Sequence, residues 1–335
     1  MTLNVGVIGA GMIGQAHIRR LAERVSGARV VAVADVDAER AKQAAQPVGA
    51  RALASGEDVI ADPGVDAVVV ASWGPAHAQH VLGAIAAGKP VFCEKPLATT
   101  EEDCRQIVAA EVAAGRRLVQ VGFMRRYDPG YRQMKAVLDS GDLGAPLLIH
   151  CVHRNPAAAE SYHSEMATQD TAVHELDVVR WLLADEIVSA QVVTGRSTAH
   201  RSPHLIDPQV MLFETASGVR VDLEVFVNCQ YGYDIQCELV AELGTIRLPD
   251  PAAATVRHRA RIATEVLQGW PERFAAAFDA EFAEWVAGAT AGRLTGPSAW
   301  DGYAVAVASD ATVRALHSGR IEQVHLSTRP AFYAR

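Results

Sequence analysis

Residues 4–14 read NVGVIGAGMIG, and this stretch decides the fold of the first part of the chain. The run Asn4–Ile8 predicts a buried strand, and Ile13–Arg24 has the pattern of a helix. Between them Gly9, Gly11 and Gly14 have the spacing G-x-G-x-x-G. Glycines so placed permit a tight turn, close approach of the backbone to a pyrophosphate, and close packing of helix on strand. The stretch therefore predicts a phosphate-binding turn at a helix N-terminus.

An acidic residue follows where a dinucleotide-binding domain needs one. Arg29–Ala34 predicts a second strand, and Asp35 ends it about 20 residues after the glycines, where a carboxylate binds a ribose 2′-hydroxyl. The same carboxylate would repel the 2′-phosphate of NADP, and Val36 and Asp37 follow it instead of an arginine. We therefore predict NAD as the cofactor. The alternative is that the glycines serve only a tight turn.

The first 120 residues alternate short apolar runs with helical patterns, as parallel βαβ units do. Further strands are predicted at Ala67–Ala71, Val91–Cys93 and Leu118–Val121, and helices at Ala76–Ala87 and from about Thr100. Thr99 and Glu102 have the spacing of a capping box, and Gly115 lies where a C-terminal cap belongs. We predict a doubly wound parallel sheet of the Rossmann type over residues 1–123.

Residues 124–335 have a different pattern. Helices are predicted at Pro129–Ser140, Thr171–Ala184, Arg273–Ala291 and Ala304–Ser318. Strands are predicted at Leu147–His153, Ile187–Thr194, Gln209–Thr215, Val219–Asn228 and Asp234–Glu242. Several of these strands alternate polar and apolar residues, which favours a large, open, mostly antiparallel sheet with one wet face. We predict an α/β protein in which an α+β domain follows the Rossmann domain.

Composition excludes several classes of protein. The chain has 335 residues and a formal net charge of −8, so it repels phosphate backbones and anionic lipids. Arg257, Arg259 and Arg261 alternate, which we interpret as the wet face of one strand. No signal peptide or membrane-length apolar run is evident. The five cysteines form no Cys-x-x-Cys pair. We predict a cytoplasmic protein that binds neither nucleic acid nor a membrane.

Two groups of residues carry candidate chemistry. Lys95, in Glu94-Lys95-Pro96, follows a predicted parallel strand directly, and ligands bind at the carboxyl ends of such strands. Asp170 and His174 are four residues apart on a predicted helix, so they share one face. A carboxylate beside an imidazole fixes its tautomer and stabilises its positive form, as a general base requires. The alternatives are a surface lysine and a packed histidine.

No metal site is predicted. His174-Glu175 lacks the second histidine of a zinc protease, because residue 178 is valine. His150 and His153 are three apart on a predicted strand and point to opposite faces, so they do not chelate one ion.

The glycine turn, Glu-Lys-Pro and Asp-x-x-x-His, in this order, resemble the glucose–fructose oxidoreductase / inositol dehydrogenase / MocA family. The resemblance runs nearly end to end. It includes SWGPAH (residues 72–77), FCEKPLATT (92–100), VQVGFMRRY (119–127), HRNP (153–156), YGYDIQCE (231–238) and GPSAWDGY (296–303). The family resemblance implies NAD-dependent oxidation of a secondary alcohol on a polyhydroxylated ring. Myo-inositol is the leading substrate, and scyllo-inositol, chiro-inositol or a pyranose are alternatives. A non-catalytic NAD(H)-binding sensor is the remote alternative.

The resemblance also implies roles for individual residues. The catalytic residues would be Lys95, Asp170 and His174. Further substrate contacts would come from Arg125, His153, Asn155 and Tyr233. The cofactor would lie along Gly9, Gly11, Met12, Ile13, Gly14, Asp35, Ser72, Trp73, His77, Glu94 and Lys95. The resemblance further implies a homotetramer formed through the sheet of residues 124–335. Ala157–Gln169 matches the family least well, which leaves the choice of substrate open.

The mechanism expected is hydride transfer from the carbinol carbon to the nicotinamide. His174 would remove the hydroxyl proton, Asp170 would orient His174, and Lys95 would stabilise negative charge on the same oxygen. In the alternative, Lys95 is itself the base.

Overall fold

The computed structural model describes residues 2–334, and the chain divides into two compact units. The first unit contains the chain up to Met124, Phe278–Ala306 and the residues from Leu326 on. The second contains Arg125–Ala277 and Val307–His325. Phe278–Ala306 thus lies in the first unit, although the sequence division at residue 123 put it in the following domain.

A six-stranded parallel sheet forms the centre of the first unit, with strand order β3-β2-β1-β4-β5-β6. Its strands are β1 (Leu3–Ile8), β2 (Ala28–Ala34), β3 (Arg51–Leu53), β4 (Ala67–Val70), β5 (Val91–Cys93) and β6 (Val119–Val121). Its helices are α1 (Met12–Glu23), α2 (Ala38–Ala45), α3 (Gly56–Ala61), α4 (His77–Ala86) and α5 (Glu101–Ala114). All its strand pairs are parallel, which confirms the predicted Rossmann-type sheet.

The core of the first unit shows why polar and apolar residues do not alternate along its strands. All four residues of β4 are fully buried, because both faces of a parallel sheet are covered. Phe92 on β5 packs against Phe282 and Trp285 of helix α9 (Ala275–Thr290), at ring-centroid distances of 4.4 and 5.9 Å. This packing explains why a late part of the sequence belongs to the first unit.

The structure corrects the cap predicted for the N-terminus of α5 and confirms the cap predicted for its C-terminus. The capping box predicted at Thr99 and Glu102 is wrong by one residue, because Thr100 is the N-cap and its hydroxyl accepts from the Asp103 amide at 3.1 Å. Either threonine fits the pattern, and the backbone selects the second. The predicted C-terminal cap is confirmed, since Gly115 has φ of 68°.

The second unit is built on a seven-stranded sheet with order β12-β11-β7-β10-β9-β8-β15. Its strands are β7 (Pro146–Arg154), β8 (Ile187–Thr194), β9 (Gln209–Thr215), β10 (Arg220–Phe226), β11 (Asp234–Ala241), β12 (Gly244–Arg247) and β15 (Glu322–Gln323). Only β10 and β7 pair in parallel; the other pairs are antiparallel. The predicted mostly antiparallel sheet is therefore confirmed.

Helices of the second unit are α6 (Pro129–Ser140), α7 (Val173–Leu183) and α8 (Trp270–Arg273), and α10 (Ala299–Ser318) ends in it. Leu176 and Val179 of α7 line the same small gap as Phe213, Val221 and Leu223 of the sheet. This contact buries one face of the sheet, and the alternation of buried and more exposed residues along β10 follows from it.

Two predictions for the second unit are corrected by the structure. The helix predicted over Thr171–Ala184 begins as a π-helical segment, Ala167–Ala172, which runs directly into α7. The arginines 257, 259 and 261 do not share one strand. They lie on β13 (Thr255–His258), a turn and β14 (Arg261–Thr264), because Arg259 and Ala260 adopt positive φ and reverse the chain.

Candidate active site

The glycine-rich turn has the geometry that a bound pyrophosphate requires. Gly9 has φ of +97°, and a Cβ there would lie 2.4 Å from the carbonyl oxygen of Ala71. A Cβ on Gly14 would lie 2.0 Å from the carbonyl oxygen of Gly9, whereas one on Gly11 would meet nothing within 4 Å. Gly11 is the N-cap of α1 and provides no side-chain cap. The amides of the first turn are therefore left for an anion.

Asp35 lies beside this turn. One carboxylate oxygen accepts from the Ala10 amide at 2.7 Å, and the other accepts from the Asp37 amide at 2.9 Å. Arg40 Nη1 lies 3.3 Å from the same carboxylate, a contact that the sequence reasoning missed because Arg40 is five residues further on. The carboxylate is thus fixed next to the glycines, as a ribose ligand must be.

The loop after β4 contains Ser72 and Trp73. The Trp73 side chain is 81% exposed, and the Ser72 hydroxyl oxygen is shielded from solvent with no hydrogen-bond partner among the described residues. His77 is buried, and its ring nitrogens lie 2.7 and 2.9 Å from the carbonyl oxygens of Pro96 and Ser72. The His77 ring therefore links this loop to the Glu-Lys-Pro loop, while its predicted place along the cofactor stays a prediction.

Lys95 is half-buried and directly follows Glu94, which continues the end of β5. The Glu94 carboxylate lies in the interior: one oxygen is 2.7 Å from His17 Nε2, and the other accepts from the Lys95 amide at 3.1 Å. Burial alone would raise the pKa of Glu94, but the hydrogen bonds and the nearby Lys95 charge hold it below its ordinary value. The carboxylate therefore stays ionised beneath the loop that bears Lys95.

These features of the first unit fit a dinucleotide. The open helix N-terminus suits phosphate, the fixed Asp35 carboxylate suits a ribose hydroxyl, and the unpartnered Ser72 hydroxyl leaves a further polar contact. Met12 and Ile13 begin α1 at the turn itself, and Met12 is 73% exposed.

Asp170 and His174 lie on consecutive parts of one helical stretch in the second unit. Asp170 is exposed and belongs to the π-helical segment, while His174 is half-buried in the first turn of α7. The α-helical spacing assumed from the sequence therefore does not hold at Asp170. The His174 ring faces that of His153, with centroids 6.4 Å apart.

A buried ion pair lies next to these histidines. Arg125 donates to the carboxylate of Glu175, and both side chains are at most 2% exposed. His153 Nδ1 lies 3.1 Å from Arg125 Nη2 and 3.0 Å from the Glu175 carboxylate. Burial would raise the pKa of Glu175, but the Arg125 charge and the hydrogen bonds from His153 and Arg125 hold it below its ordinary value.

Tyr233 completes this cluster. Its ring meets that of His153 edge-on at 5.8 Å, and its amide donates to the Leu267 carbonyl at 2.6 Å. Burial raises the pKa of the Tyr233 phenol to about 12. The hydroxyl is therefore neutral and keeps a proton that it can donate.

A cavity of about 360 Å³ opens beside this cluster within the second unit. Three predicted substrate residues, Asn155, Asp170 and Tyr233, line it. Its wall also includes Tyr162, Gln268 and Trp270, which were not predicted. Its volume lies within the range typical of small-molecule sites.

The structure thus brings most predicted residues of each unit together. Glu175 was not predicted as a site residue, because in the sequence it was considered only as part of an incomplete zinc-protease motif. Its signal is that α7 is buried on nearly all sides, so a carboxylate there needs a partner. His150 and His153 lie on opposite faces as predicted, since His150 is exposed beside Asp222 and His153 is buried.

Two models of known protein families match the chain. Residues 3–123 match the model of an oxidoreductase family with an NAD-binding Rossmann fold, named GFO/IDH/MocA. Residues 131–247 match the model of the C-terminal domain of that family. The chain belongs to the GFO/IDH/MocA family. This confirms the predicted family, and with it an NAD-binding oxidoreductase fold.

Similar members of the GFO/IDH/MocA family include inositol dehydrogenases. The chain is 62% identical over 333 residues to inositol 2-dehydrogenase 3 of Saccharopolyspora erythraea, covering 99% of this chain and 98% of that one. It is 59% identical over 335 residues to inositol 2-dehydrogenase of Ralstonia nicotianae, covering 99% of each chain.

Among solved structures of the GFO/IDH/MocA family, myo-inositol dehydrogenase from Lactobacillus casei in complex with NAD(H) and myo-inositol superposes with a TM-score of 0.97. It is 40% identical to this chain, and the match covers all of both chains. Scyllo-inositol dehydrogenase from the same organism, with NAD(H) and scyllo-inositol, gives a TM-score of 0.90 at 27% identity, over 97% of this chain and 99% of that one. In this chain, residues 2–334 contain no helix that is long and apolar enough to span a membrane.

Proposed function

We propose that the protein oxidises a secondary alcohol of a cyclitol to the ketone with NAD, and that myo-inositol, giving scyllo-inosose, is the preferred substrate. The observation that carries this proposal is the cavity of the second unit. A carboxylate, an amide and a phenol, from Asp170, Asn155 and Tyr233, line one space. A neutral polyol is recognised through many such hydrogen bonds. The identity of 62% to an inositol 2-dehydrogenase supports the choice of ring.

In the proposed reaction, bound NAD supplies the hydride acceptor. The His174 imidazole takes the hydroxyl proton, and Asp170 orients that imidazole and stabilises its charged form. The Lys95 ammonium donates a hydrogen bond to the same oxygen and stabilises its developing negative charge. Arg125, His153, Asn155 and Tyr233 hold the remaining hydroxyls, and Glu175 holds Arg125 and His153 in place.

The cofactor residues are proposed to be those of the glycine turn, Asp35, and the loops that bear Ser72, Trp73, His77, Glu94 and Lys95. Residues 1–123 then bind NAD, and residues 124–335 provide the substrate and subunit contacts. The fixed Asp35 carboxylate supports NAD over NADP, because it lies where a 2′-phosphate would be placed.

A panel of polyols tests this function. Myo-inositol, scyllo-inositol, chiro-inositol and glucose are each incubated with NAD and with NADP, and the reduced cofactor is followed by its absorbance. We expect the highest kcat/KM with myo-inositol and NAD. A higher value for glucose or scyllo-inositol would contradict the substrate, and NAD binding without turnover of any polyol would indicate the sensor alternative.

His174→Ala and Lys95→Ala separate the two assignments of the base. Loss of a general base lowers kcat by about 10²–10⁴. If His174 is the base, His174→Ala loses the base-dependent limb of the pH profile, whereas Lys95→Ala keeps it at a lower rate. A near-normal His174→Ala enzyme would contradict the assignment.

We further propose a homotetramer assembled through the open face of the seven-stranded sheet. Val193 on β8 lies opposite Val210 on β9, and Leu212 follows two residues further along β9; all three are between 36% and 46% exposed. Contiguous exposed apolar residues of this kind mark interaction surfaces. Light scattering should give four chains, and Leu212→Glu should reduce that number. We also propose a cytoplasmic location, which the five free cysteines support.

A further inference from the structure

A buried chain of polar groups joins α1 to the loop that bears Lys95. His17 on α1 is fully buried, and its Nε2 lies 2.7 Å from Glu94 Oε1. Its Nδ1 lies 2.8 Å from Arg20 Nη1, and Arg20 Nε donates to Asp279 at 2.9 Å. The other oxygen of Glu94 accepts from the Lys95 amide. Glu94 and Lys95 belong to the site assigned above, whereas His17, Arg20 and Asp279 have no role assigned there.

The partners of His17 determine its protonation. A guanidinium only donates, so Nδ1 must accept from Arg20, and the ring proton must be on Nε2 and point to Glu94. Burial lowers the pKa of His17, and the Arg20 charge acts in the same direction, against the hydrogen bond and the charge of Glu94. His17 is therefore neutral: it accepts from a cation on one side and donates to an anion on the other.

Packing leaves this chain little freedom to move. The His17 ring lies 4.5 Å from that of Phe282 and 5.9 Å from that of Phe92, measured between centroids. On the other side, a Cβ on Gly122 would lie 3.2 Å from the Glu94 carboxylate, so the backbone of Gly122 approaches that carboxylate closely. The carboxylate therefore has one position, set by His17, from which it holds the Lys95 amide.

We propose that His17 is a positioning residue for Lys95: it fixes Glu94, and Glu94 fixes the backbone from which the Lys95 side chain reaches the reacting oxygen. Since α1 also begins at the glycine-rich turn, His17 links the phosphate-binding turn to the Lys95 loop. This inference rests on the proposed function, because it assigns Lys95 to the reaction.

Three variants test the inference. His17→Leu removes both ring hydrogen bonds, and His17→Gln keeps one donor and one acceptor. Phe282→Leu loosens the packing around the ring but removes no hydrogen bond. We expect His17→Leu to lower kcat by about tenfold or more, because small displacements of catalytic groups are costly. We expect His17→Gln and Phe282→Leu to stay within about threefold of wild type, and the Kd for NAD, measured by fluorescence titration, to change little in all three.

Two further measurements do not depend on the activity of His17→Leu alone. The effects of His17→Leu and Glu94→Gln on kcat should not add in the double variant, because both act through one carboxylate. Ring-nitrogen NMR of the protein without cofactor should show a neutral histidine protonated at Nε2 at neutral pH, and His17→Gln should remove this signal.

The outcomes separate the inference from the function on which it rests. If the wild-type protein fails to oxidise any polyol, the proposed function is refuted, and the NMR result still decides the protonation of His17. If wild type is active and His17→Leu keeps its kcat, or if Phe282→Leu loses as much, then His17 is merely structural. Additive effects or a doubly protonated ring would also overturn the inference. If His17→Leu fails to fold, the kcat of His17→Gln and the NMR signature decide: a His17→Gln enzyme far below wild type, or a doubly protonated ring, would overturn the inference.

Discussion

Replacing Glu175 with alanine is expected to destabilise the second unit strongly. Arg125 and Glu175 are 1% and 2% exposed, so the change leaves a guanidinium buried with its charge uncompensated. Its remaining neighbours include the His153 ring, the Tyr233 hydroxyl and the face of Phe274, whose centroid lies 5.5 Å from the guanidinium carbon. Removing one partner of a buried ion pair costs about 3–5 kcal/mol. A domain is stable by only about 5–15 kcal/mol, so the loss is large.

Two matched variants show whether the buried charge is the cause. Arg125→Met combined with Glu175→Leu removes both charges and keeps apolar volume, so it should cost clearly less than Glu175→Ala alone. Glu39→Ala breaks the Lys42–Glu39 pair, whose side chains are 62% and 71% exposed, and should change stability by less than about 1 kcal/mol. Urea unfolding followed by far-ultraviolet circular dichroism measures all three free energies of unfolding.

The pH dependence of the stability of a Glu175→Gln variant gives an independent check. The pKa of Glu175 is lowered in the folded protein, so the unfolded chain takes up its proton first as the pH falls. The contribution of Glu175 to the free energy of unfolding is therefore fully present above the pKa of the unfolded state, about 4.3. This contribution is lost as the pH falls through the lower pKa of the folded state. The stability difference between wild type and Glu175→Gln should shrink on acidification. A Glu175→Ala protein within about 1 kcal/mol of wild type at neutral pH would refute the reasoning.

Three further predictions concern the cofactor and the substrate. Asp35→Ser should weaken the binding of NAD by about ten- to a hundredfold, because a hydrogen bond to a charged group is lost. The variant should also raise the ratio of kcat/KM with NADP to that with NAD, because a charge repulsion is removed. An unchanged ratio would exclude Asp35 from the choice of cofactor. Gly14→Ala places a Cβ 2.0 Å from the Gly9 carbonyl oxygen, so the turn must shift, and the Kd for NAD should rise more than about tenfold. The Cβ of Gly11→Ala meets no atom within 4 Å, so this variant should retain more of the affinity for NAD. Equal Kd values for the two variants would contradict the geometry of the turn. Tyr233→Phe should raise the KM for myo-inositol by about three- to tenfold, and an unchanged KM would remove its hydroxyl from substrate binding.

The nucleotide-binding half was predictable because its determinants are local. The strand, the glycine spacing and Asp35 follow one another within the first 35 residues, and each has a backbone or charge requirement that few residues meet. The same holds for Gly115, whose left-handed conformation ends α5 where predicted. The short elements α2, β3 and α3 escaped prediction, because three to eight residues carry little periodicity.

The groups that hold the site residues in place could not be read from local pattern. Arg125 and Glu175 are 50 residues apart in sequence, and His17 and Glu94 are 77 apart. Only the folded chain brings each pair together, and nothing in the spacing along the sequence indicates the partner. The π-helical start of the Asp170 segment has the same origin, since tertiary packing there overrides the α-helical period.

The packing of Phe92 against Phe282 and Trp285 has a consequence for how the protein is made. The nucleotide-binding sheet is synthesised first, yet its residue Phe92 is covered by a helix that leaves the ribosome some 190 residues later, at 282 against 92. Until then the nascent sheet exposes apolar surface, so a fragment that stops at residue 124 should be prone to aggregate. Completion of the first unit therefore waits for nearly the whole polypeptide.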